Sequence, residues 1–293
     1  MDARQLRYFL AVVDHGSVNK AAAALYVAQP SLSQAVRALE RDLGSELFHR
    51  IGRRLVLTDA GRALIEPARQ VVRGLAHARS SVESVAGLQV GRVEIAAMPS
   101  QAVDPLARMI KAVTERHPGL SVSVRAAFTA DDVLRQVRSG QTELGLLGAD
   151  ESPAAAGVEL RPWGKQRFVL VCPAGGPFAP GDVVRDEDLA GQRLIVGQPG
   201  TGMRRLVDEI RASGVALSEV VETEHREAIL PLVLGGVGVA VLTDSWATLA
   251  RQAGALVLDL EPARHLHIAL VSRAGDLTPA ASAFLEVAHS LSR

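Results

Sequence analysis

The sequence contains a single cysteine, Cys172, among 293 residues. No disulfide can form within the chain, which excludes an internal redox pair and favours a reducing, cytoplasmic environment. Residues 168–173 form an apolar run typical of a buried strand, so we expect Cys172 to be an inert core thiol rather than a reactive one.

Secretory and membrane-spanning segments are missing as well. The apolar run at residues 9–13 is too short for a signal sequence and is followed by Asp14 and His15. The longest uncharged stretch, residues 229–242, is shorter than the roughly 18 residues of a membrane span. It is also interrupted by Pro231 and by glycines. We therefore expect a cytoplasmic protein that does not contact a membrane.

The chain also lacks the residue patterns of common enzymes. It has no HExxH or clustered His/Cys spacing for a metal and no GxSxG nucleophile motif. The glycine-rich residues 197–202 lack the GxGxxG spacing and the GK[ST] ending of phosphate-binding loops. His265 and His267 alternate in an expected strand, where core or surface positions are favoured over a ligand pair. We predict no catalytic residue, no metal and no cofactor.

Length and charge indicate more than one folded part. A chain of 293 residues is too long for one typical core. The formal net charge is zero, but residues 1–88 carry 12 basic against 8 acidic residues, a net of +4, which leaves −4 for residues 89–293. The basic part is where nucleic acid is expected to bind.

Two short helices joined by a turn are predicted over residues 17–43. Ser17 can cap the first helix by accepting from backbone N–H groups. This helix has an apolar, close-packing side formed by Ala21, Ala22, Ala24 and Leu25. Residues 26–28 then turn the chain.

The second helix of the pair is amphipathic. Pro30 suits its first turn, where the missing N–H costs nothing. Its apolar residues recur at steps of four and three and form a core stripe: Leu32, Val36, Leu39 and Leu43. Polar groups that suit base edges and phosphates lie off this stripe. The sequence thus predicts a DNA-reading helix with contacts from Gln29, Pro30, Ser31, Ser33, Gln34 and Arg37, and with Arg41 on the same face.

The flanking residues complete a small domain. Leu6, Phe9, Leu10 and Val13 form the stripe of an earlier helix that ends at His15-Gly16. After the second helix, residues 46–48 and 55–57 read as a two-stranded hairpin, with residues 49–54 as its turn. Three arginines in this turn could enter the minor groove or hold phosphates: Arg50, Arg53 and Arg54.

Residues 2–61, which include SVNKAAAALYVAQPSLSQAVRALERDL, closely resemble the winged DNA-binding domain of LysR-type transcriptional regulators. The remainder follows the family at the level of pattern. Differences fall at Val18-Asn19, where the family commonly has Phe-Thr, at Ala28, commonly Ser, and at Gln34, often Arg. The resemblance implies a bacterial, effector-controlled regulator that binds double-stranded promoter DNA as a homodimer or homotetramer.

A single long helix is predicted from Thr58, its cap, with Asp59 in the first turn. Apolar residues alternate at steps of four and three in a coiled-coil seam along which two chains could pair: Ala60, Leu64, Ala68, Val71, Leu75, Ala78, Val82 and Val85. Pro67 should kink the helix near Ala63, which leaves a helix in two pieces open. A plain linker or bundle helix is the other open interpretation.

Beyond residue 87, strands and amphipathic helices alternate, as in an α/β domain. Strands are predicted at 93–98, 121–128, 143–147, 167–172, 193–196, 220–222, 237–242 and 265–272, and helices at 103–116, 130–139, 202–213, 228–234 and 278–291. The family's effector domain resembles periplasmic binding proteins, with two α/β subdomains joined by two crossovers, here near residues 162–164 and 263–266.

The expected fold class is therefore α/β overall, in three parts. These are a winged helix-turn-helix at 1–58, a linker and dimerisation helix at 59–88, and an effector domain at 89–293. Within the effector domain, subdomain 1 comprises 89–162 and 267–293, and subdomain 2 comprises 163–266.

Two turns of the effector domain are candidates for ligand contact, because each follows a strand and opens a helix whose N–H groups favour anions. Ser100 in the first and Thr201 in the second could bind a carboxylate from opposite walls. The resemblance adds the turn at 128–129. The candidate effector residues are Ser100, Gln101, Thr129, Gly200, Thr201 and His225. Helix caps are the alternative role for the Ser and Thr residues, and a surface or capping role is favoured for His225.

The predicted function is that of a DNA-binding transcriptional regulator controlled by a small-molecule effector, a carboxylate being one candidate. A cytoplasmic small-molecule binding protein or an enzyme built on the two-lobed domain are the alternatives. The three arginines of the hairpin argue against a binding protein with an accidental N-terminal arm.

Overall fold

The computed structural model describes residues 1–51, 54–85, 91–149, 156–275 and 277–292, with the backbone alone for residues 50, 51, 54, 77 and 79–85. The chain divides into two units. The N-terminal unit comprises Met1–Leu88 with Ser139–Gln141, and the C-terminal unit comprises Gln89–Arg138 with Thr142–Arg293.

Three helices open the N-terminal unit: α1 (Ala3–His15), α2 (Val18–Ala24) and α3 (Gln29–Leu43). The side chain of Asp2 caps α1 by accepting from the backbone N–H groups of Arg4 and Gln5, and Gly16 ends it at φ 64°. Ser17 precedes α2, but its side chain makes no capping hydrogen bond, so the predicted role of its hydroxyl is wrong. Pro30 lies in the first turn of α3, as the sequence predicts.

These helices share two small groups of buried side chains, one containing Leu6, Phe9, Leu10 and Leu39, the other Val12, Ala21, Ala22, Leu32 and Val36. The predicted stripes of α1 and α3 are largely confirmed. Three predicted core residues are exposed instead: Ala24, Leu25 and Leu43. Each stands at the last residue of its helix or just after it, where the chain turns away from the core.

The hairpin consists of β1 (Phe48–Ile51) and β2 (Arg54–Leu57), paired antiparallel from Phe48↔Leu57 to Ile51↔Arg54. The prediction that residues 46 and 47 belong to the first strand is wrong, since β1 begins at Phe48 and its backbone pairing continues through the polar residues 49 and 50. β2 begins one residue earlier than predicted. Arg50 and Arg54 therefore lie in the strands and not in the turn. Arg53, the third predicted contact of the hairpin, lies outside the described residues.

The long helix α4 runs from Asp59 to Val85 without a break at Pro67. Thr58 caps it as predicted, since its Oγ1 accepts from the backbone N–H of Gly61 at 2.9 Å. Leu64 is half-buried and Ala68 is buried against the core of the same unit, so after the exposed Ala60 the predicted seam becomes exposed again at Val71.

The C-terminal unit alternates strands and helices. The strands are β3 (Gly91–Ala97), β4 (Leu120–Ala126), β5 (Leu144–Ala149), β6 (Val158–Cys172), β7 (Val183–Arg185), β8 (Arg193–Gly197), β9 (Ser218–Thr223), β10 (Ala240–Thr243), β11 (Leu256–Glu261) and β12 (His265–Arg273). The helices are α5 (Pro99–Gln101), α6 (Ala107–Arg116), α7 (Ala130–Arg138), α8 (Gly202–Ala212), α9 (Ile229–Leu234), α10 (Ala247–Gln252) and α11 (Pro279–Ser290). Short 3₁₀ turns cover Asp186–Leu189, Arg226–Ala228 and Asp244–Trp246.

The main sheet has the strand order β4-β3-β5-β12-β6-β11-β7, with β10 also paired to β6, and β8 pairs with β9. β3 is parallel to β4 and β5, whereas β6 and β12 run antiparallel to each other. We call β3–β5 with α5–α7 and α11 the first lobe, and β7–β11 with α8–α10 the second lobe. β6 and β12 run through both, which places the two connections side by side. The exact subdomain bounds given above stay a prediction.

The mixed α/β fold class is confirmed, but the structure differs from the predicted elements at several places. The helix expected at 103–116 begins at Pro99 and is interrupted at Asp104 (φ −153°, ψ 129°), because the residue before a proline avoids helical dihedrals. The sequence did not predict β7, β11, α10 or residues 158–166 of β6. This half of β6 contains Pro162 and charged residues, and its strand conformation depends on pairing with the distant β12.

No helix within the described ranges is long and apolar enough to span a membrane.

Candidate functional site

The predicted DNA-reading residues lie on one accessible face of α3. Ser33 is half-buried and the other five are exposed: Gln29, Pro30, Ser31, Gln34 and Arg37. Arg41 is exposed as well. The amide of Gln29 donates from Nε2 to Ser33 Oγ at 2.8 Å. This hydrogen bond fixes two polar groups at the start of the helix, whose N-terminal turn also favours phosphate.

Tyr26 also belongs to this surface, although its sequence context does not predict it. It lies in the turn between α2 and α3 and is 97% exposed. Its backbone has φ 54°, the left-handed region that side chains other than glycine rarely adopt. The only sequence signal was the aromatic residue in a predicted turn, which gives no information about exposure.

The second candidate site lies in the C-terminal unit, around Ser100 at the start of α5. Ser100 is 2% exposed. Its Oγ accepts from Arg226 Nη1 and from Trp246 Nε1, each at 3.2 Å. Both donors come from the second lobe, 126 and 146 positions further along the chain. Ser100 is therefore a point at which the two lobes meet.

Arg226 is the most unusual group of this site. It is 7% exposed, and its Nη1 also lies 3.1 Å from Met203 Sδ. No carboxylate pairs with it among the residues that the structure describes. Burial lowers the pKa of the Arg226 guanidinium to about 10, so the group stays charged at neutral pH. A buried, charged arginine without an acidic partner is costly, and an anion would remove that cost.

Gln101, the neighbour of Ser100, is buried and holds a second unsatisfied group. Its Nε2 donates to Gln166 Oε1 at 2.9 Å, and Gln166 Nε2 donates to Asp104 O at 2.6 Å. Within the described chain, Gln101 Oε1 has no hydrogen-bond partner. An acceptor left open at 1% exposure can take a donor from a ligand or from water.

Thr201 and Gly200 form the facing loop of the second lobe. Thr201 is fully buried and caps α8, since its Oγ1 accepts from the N–H of Arg204 at 3.3 Å. A Cβ placed on Gly197 would lie 3.4 Å from Thr201 Oγ1 and 3.8 Å from Arg226 Nη2. Thr201 is thus both a helix cap and a neighbour of the buried guanidinium.

The remaining predicted effector residues behave differently from one another. Thr129 caps α7 by accepting from the N–H of Asp132 at 3.1 Å, and a Cβ on Gly200 would lie 3.4 Å from Thr129 Cγ2. These two residues therefore meet across the lobes. The side chain of His225 is 80% exposed and lies 3.2 Å from Glu227, so it does not join the cluster. The short turn that starts at Arg226 directs the arginine inwards and the histidine outwards.

Arg226 and Trp246 belong to this site although their sequence context does not single them out. An arginine in a short turn is normally a surface residue, and a tryptophan before a short helix is normally a core residue. Neither residue type carries a signal for proximity to Ser100, because that proximity is created by the packing of the two lobes.

Two protein-family models match this chain. The model for the bacterial regulatory helix-turn-helix protein, lysR family, matches residues 3–62, and the model for the LysR substrate binding domain matches residues 86–292. The chain belongs to the LysR family. The helix-turn-helix match contains α1–α3 and the hairpin, and the substrate-binding match contains both lobes.

The similar proteins are transcriptional regulators, and the similarity covers nearly the whole length of each. A RuBisCO operon transcriptional regulator of Allochromatium vinosum is 29% identical over 288 residues, which cover 97% of this chain and 94% of that protein. The HTH-type transcriptional regulator CbbR of Rhodospirillum rubrum is 26% identical over 298 residues, with 99% and 96% covered. The solved structure of full-length CbnR with its target DNA aligns over 99% of both chains at 23% identity with a TM-score of 0.71.

This LysR-type protein is therefore a DNA-binding transcriptional regulator with a substrate-binding domain. The prediction of a regulator and not an enzyme is confirmed by these relatives. The alternative of a separate binding protein or enzyme is not supported.

Proposed function

We propose that this LysR-type regulator binds promoter DNA through α3 and the hairpin, assembles through α4, and is controlled by a small organic anion held between the lobes around Arg226. The observation that supports the anion most directly is the buried guanidinium without an acidic partner in the described chain. A carboxylate is the simplest organic anion that fits a planar guanidinium fork.

The DNA-binding role is distributed over two surfaces. The exposed face of α3 supplies the base contacts through Gln29, Pro30, Ser31, Ser33, Gln34 and Arg37, and the hairpin supplies backbone or minor-groove contacts through Arg50, Arg53 and Arg54. Amides and guanidinium groups are the usual readers of adenine and guanine edges in the major groove. Tyr26 is added as a contact to the DNA backbone, because its side chain is almost fully exposed in the turn that leads into α3.

Pairing of two chains is assigned to the exposed part of α4. Val71 and Leu75 are 46% and 48% exposed, and Ala78 continues the same seam. An apolar stripe of this kind on a long helix is typical of a helix that pairs. Replacing Leu75 by Glu should convert the dimer or tetramer to smaller species in sedimentation experiments, whereas Gln70→Glu, which adds the same charge at an exposed position off the seam, should not. Equal behaviour of the two variants would contradict this assignment.

The proposed effector contacts are Ser100, Gln101, Thr129, Gly200 and Thr201, now with Arg226 and Trp246 and without the exposed His225. The anion would accept from the guanidinium, while Gln101 Oε1 would receive a donor from the ligand. Thr129 and Thr201 each cap a helix in addition to this proposed contact. Ser100 has no such capping role, because its Oγ accepts from Arg226 Nη1 and Trp246 Nε1 and from no backbone N–H in the described chain.

In the proposed mechanism, the effector changes the angle between the lobes, and the assembly converts this change into a different spacing or bend of the DNA half-sites. A ligand shifts such an equilibrium only by its difference in affinity for the two states, which must amount to a few kcal/mol. Footprints of the full-length protein that stay the same at a saturating effector concentration would contradict the mechanism.

The anion site is tested with the full-length chain by thermal unfolding in a panel of monocarboxylates and their neutral amides. A bound carboxylate should raise the melting temperature with its concentration, because ligands stabilise the state that they bind. The amides should have no effect. Ser100→Ala should reduce the carboxylate effect while leaving DNA affinity without ligand almost unchanged, and Ser213→Ala, at the distant end of α8, is the matched control. No response to any carboxylate, or an equal response to the amides, would overturn the anion proposal.

A further inference from the structure

A second cavity lies in the C-terminal unit, apart from the site around Ser100. Its volume is about 960 Å³, at the upper end of the roughly 300–1,000 Å³ of small-molecule pockets. Its walls are the residues around the interruption before α6, the adjoining parts of β6 and β12, and α10 with the turn before it. Ser100, Thr201, Arg226 and Trp246 are not among its lining residues.

Gln166 separates the two sites. Its side chain accepts from Gln101 on one side and donates to the backbone oxygen of Asp104 on the other, and it lines the second cavity. Because both polar atoms of its side chain are hydrogen-bonded, Gln166 is held in one position between Gln101 and Asp104. The cavity therefore adjoins the proposed effector site through the Gln101–Gln166 hydrogen bond, but none of the proposed effector contacts lines it.

Positive charge predominates in the wall of this cavity. Its lysine and arginine side chains are Arg108, Lys165, Arg167 and Arg251, and its carboxylates are Asp104 and Asp244. Arg108 is paired within the wall, with Nη2 3.1 Å from Asp104 Oδ2. Arg167 pairs with Asp259, which lies outside the wall, at 2.7 Å.

Lys165 and Arg251 are the two cations available to a ligand. Both are exposed, and neither forms an ion pair with another residue in the described ranges. Lys165 is on β6 and Arg251 is on α10, so they approach the cavity from different elements. A ligand with a single charge can pair closely with only one of them, whereas a ligand with two or more charges can pair with both.

The wall also offers an apolar surface. Trp163 is half-buried, with its Nε1 donating to Ala288 O at 2.8 Å and Arg108 Cζ lying 5.6 Å from the ring centroid. Pro162, Val169 and Ala247 extend this surface. A few charged groups around an apolar lining are typical of sites for organic metabolites rather than for inorganic ions alone.

We propose that this cavity is a second ligand site, which takes a small organic polyanion, a phosphorylated or polycarboxylated metabolite, between Lys165 and Arg251. This site does not depend on the anion site at Arg226, since it uses other residues and requires more than one negative charge.

The test is calorimetric titration of the full-length protein with pyrophosphate in one arm and citrate in the other. Saturable binding is expected in at least one arm, and the preferred arm distinguishes phosphorylated from polycarboxylated ligands. Lys165→Gln and Arg251→Gln should each raise the Kd by roughly two- to fivefold, the range for exposed charge pairs. Higher salt should weaken binding to the wild-type protein.

Arg193→Gln is the matched control, because Arg193 is an exposed arginine on β8 that does not line the cavity. Its Kd should equal that of the wild type. Three results would overturn the second site: no saturable binding of either probe, equal weakening by Arg193→Gln, or unchanged affinity in both Lys165→Gln and Arg251→Gln. The last result would place the polyanion elsewhere and would leave the monocarboxylate site at Arg226 standing.

Discussion

Arg226 donates from Nη1 to Ser100 Oγ at 3.2 Å, and this hydrogen bond joins two lobes through residues that are 126 positions apart. The guanidinium is buried, and its Nη1 also lies 3.1 Å from the sulfur of Met203. A serine hydroxyl and a thioether compensate a buried positive charge only weakly. The contact therefore gives the protein a charged group that is more stable when an anion is bound.

The first prediction concerns the cost of this charge. Burial lowers the pKa of Arg226 to about 10, so the folded state binds this proton less tightly than the unfolded state, and the cost is present throughout the neutral range. Arg226→Met should raise the free energy of unfolding without ligand by about 1–3 kcal/mol, measured by urea denaturation at pH 7. The same variant should lose the response to carboxylates. Arg226→Lys keeps the charge and should not gain stability; a large loss of stability in Arg226→Met would contradict the prediction.

The second prediction separates base contacts from backbone contacts in DNA binding. Arg37→Ala should reduce discrimination between specific and unrelated sites by about 1–3 kcal/mol, because a bidentate base contact is lost. Arg53→Ala should weaken binding to all sequences and lower the slope of log Kd against log salt. Both are measured by fluorescence anisotropy on a selected site and a scrambled duplex. If Arg37→Ala weakened both duplexes equally, Arg37 would be a backbone contact.

The third prediction uses the left-handed backbone of Tyr26. Tyr26→Gly should raise the melting temperature, since a left-handed conformation costs about 1–2 kcal/mol in residues other than glycine. The neighbouring Leu25 has φ −93°, so Leu25→Gly should instead destabilise the protein by about 0.5–1 kcal/mol. DNA affinity should fall in Tyr26→Gly if the phenol contacts the backbone. Lower stability in Tyr26→Gly would show that the ring makes a stabilising contact.

The fourth prediction compares two glycines of α4. A Cβ on Gly61 would lie 2.2 Å from the backbone oxygen of Leu47, whereas a Cβ on Gly74 would meet nothing within 4 Å. Gly61→Ala should therefore destabilise the N-terminal unit by about 1–3 kcal/mol. Gly74→Ala should stabilise the helix by about 0.5–1 kcal/mol, because alanine is the better helix former. Denaturant titration followed by circular dichroism measures both, and effects of the same sign would refute the assignment of a close approach at Gly61.

The fifth prediction concerns the one cysteine. Cys172 is fully buried in β6, and burial raises the pKa of its thiol to about 12. Because only the thiolate reacts, the native protein should not react with a disulfide reagent at pH 8 within minutes. The same sample unfolded in urea should react with one equivalent per chain. A fast reaction of the native protein would show that β6 opens readily.

Much of the N-terminal unit could be predicted because its signals are local. Each of these signals involves only residues that are close together in the chain. They are the apolar stripe Leu6, Phe9 and Leu10, the glycine after α1, and Pro30 in the first turn of α3. The extent of the hairpin depends on pairing between its two strands and not on local signals. Arg50 lies in a strand because it pairs with Leu55, and Arg54 because it pairs with Ile51. The alternation of strands and helices in the C-terminal unit could also be predicted from the sequence. Residues 158–166 of β6 could not, because their strand conformation depends on pairing with the distant β12.

The sequence by itself determined the family, the helix-turn-helix and the polar face of α3, because helical periodicity and capping depend on neighbouring residues. Only the tertiary structure decided that Ser100 meets Arg226 and Trp246, and that Lys165 and Arg251 share a cavity. These groups are far apart in the chain, and the residues next to each of them in sequence do not determine which groups come into contact. The packing of the lobes determines which charged side chains are buried and which of them form ion pairs. Burial is what makes Arg226 a candidate for binding an anionic ligand.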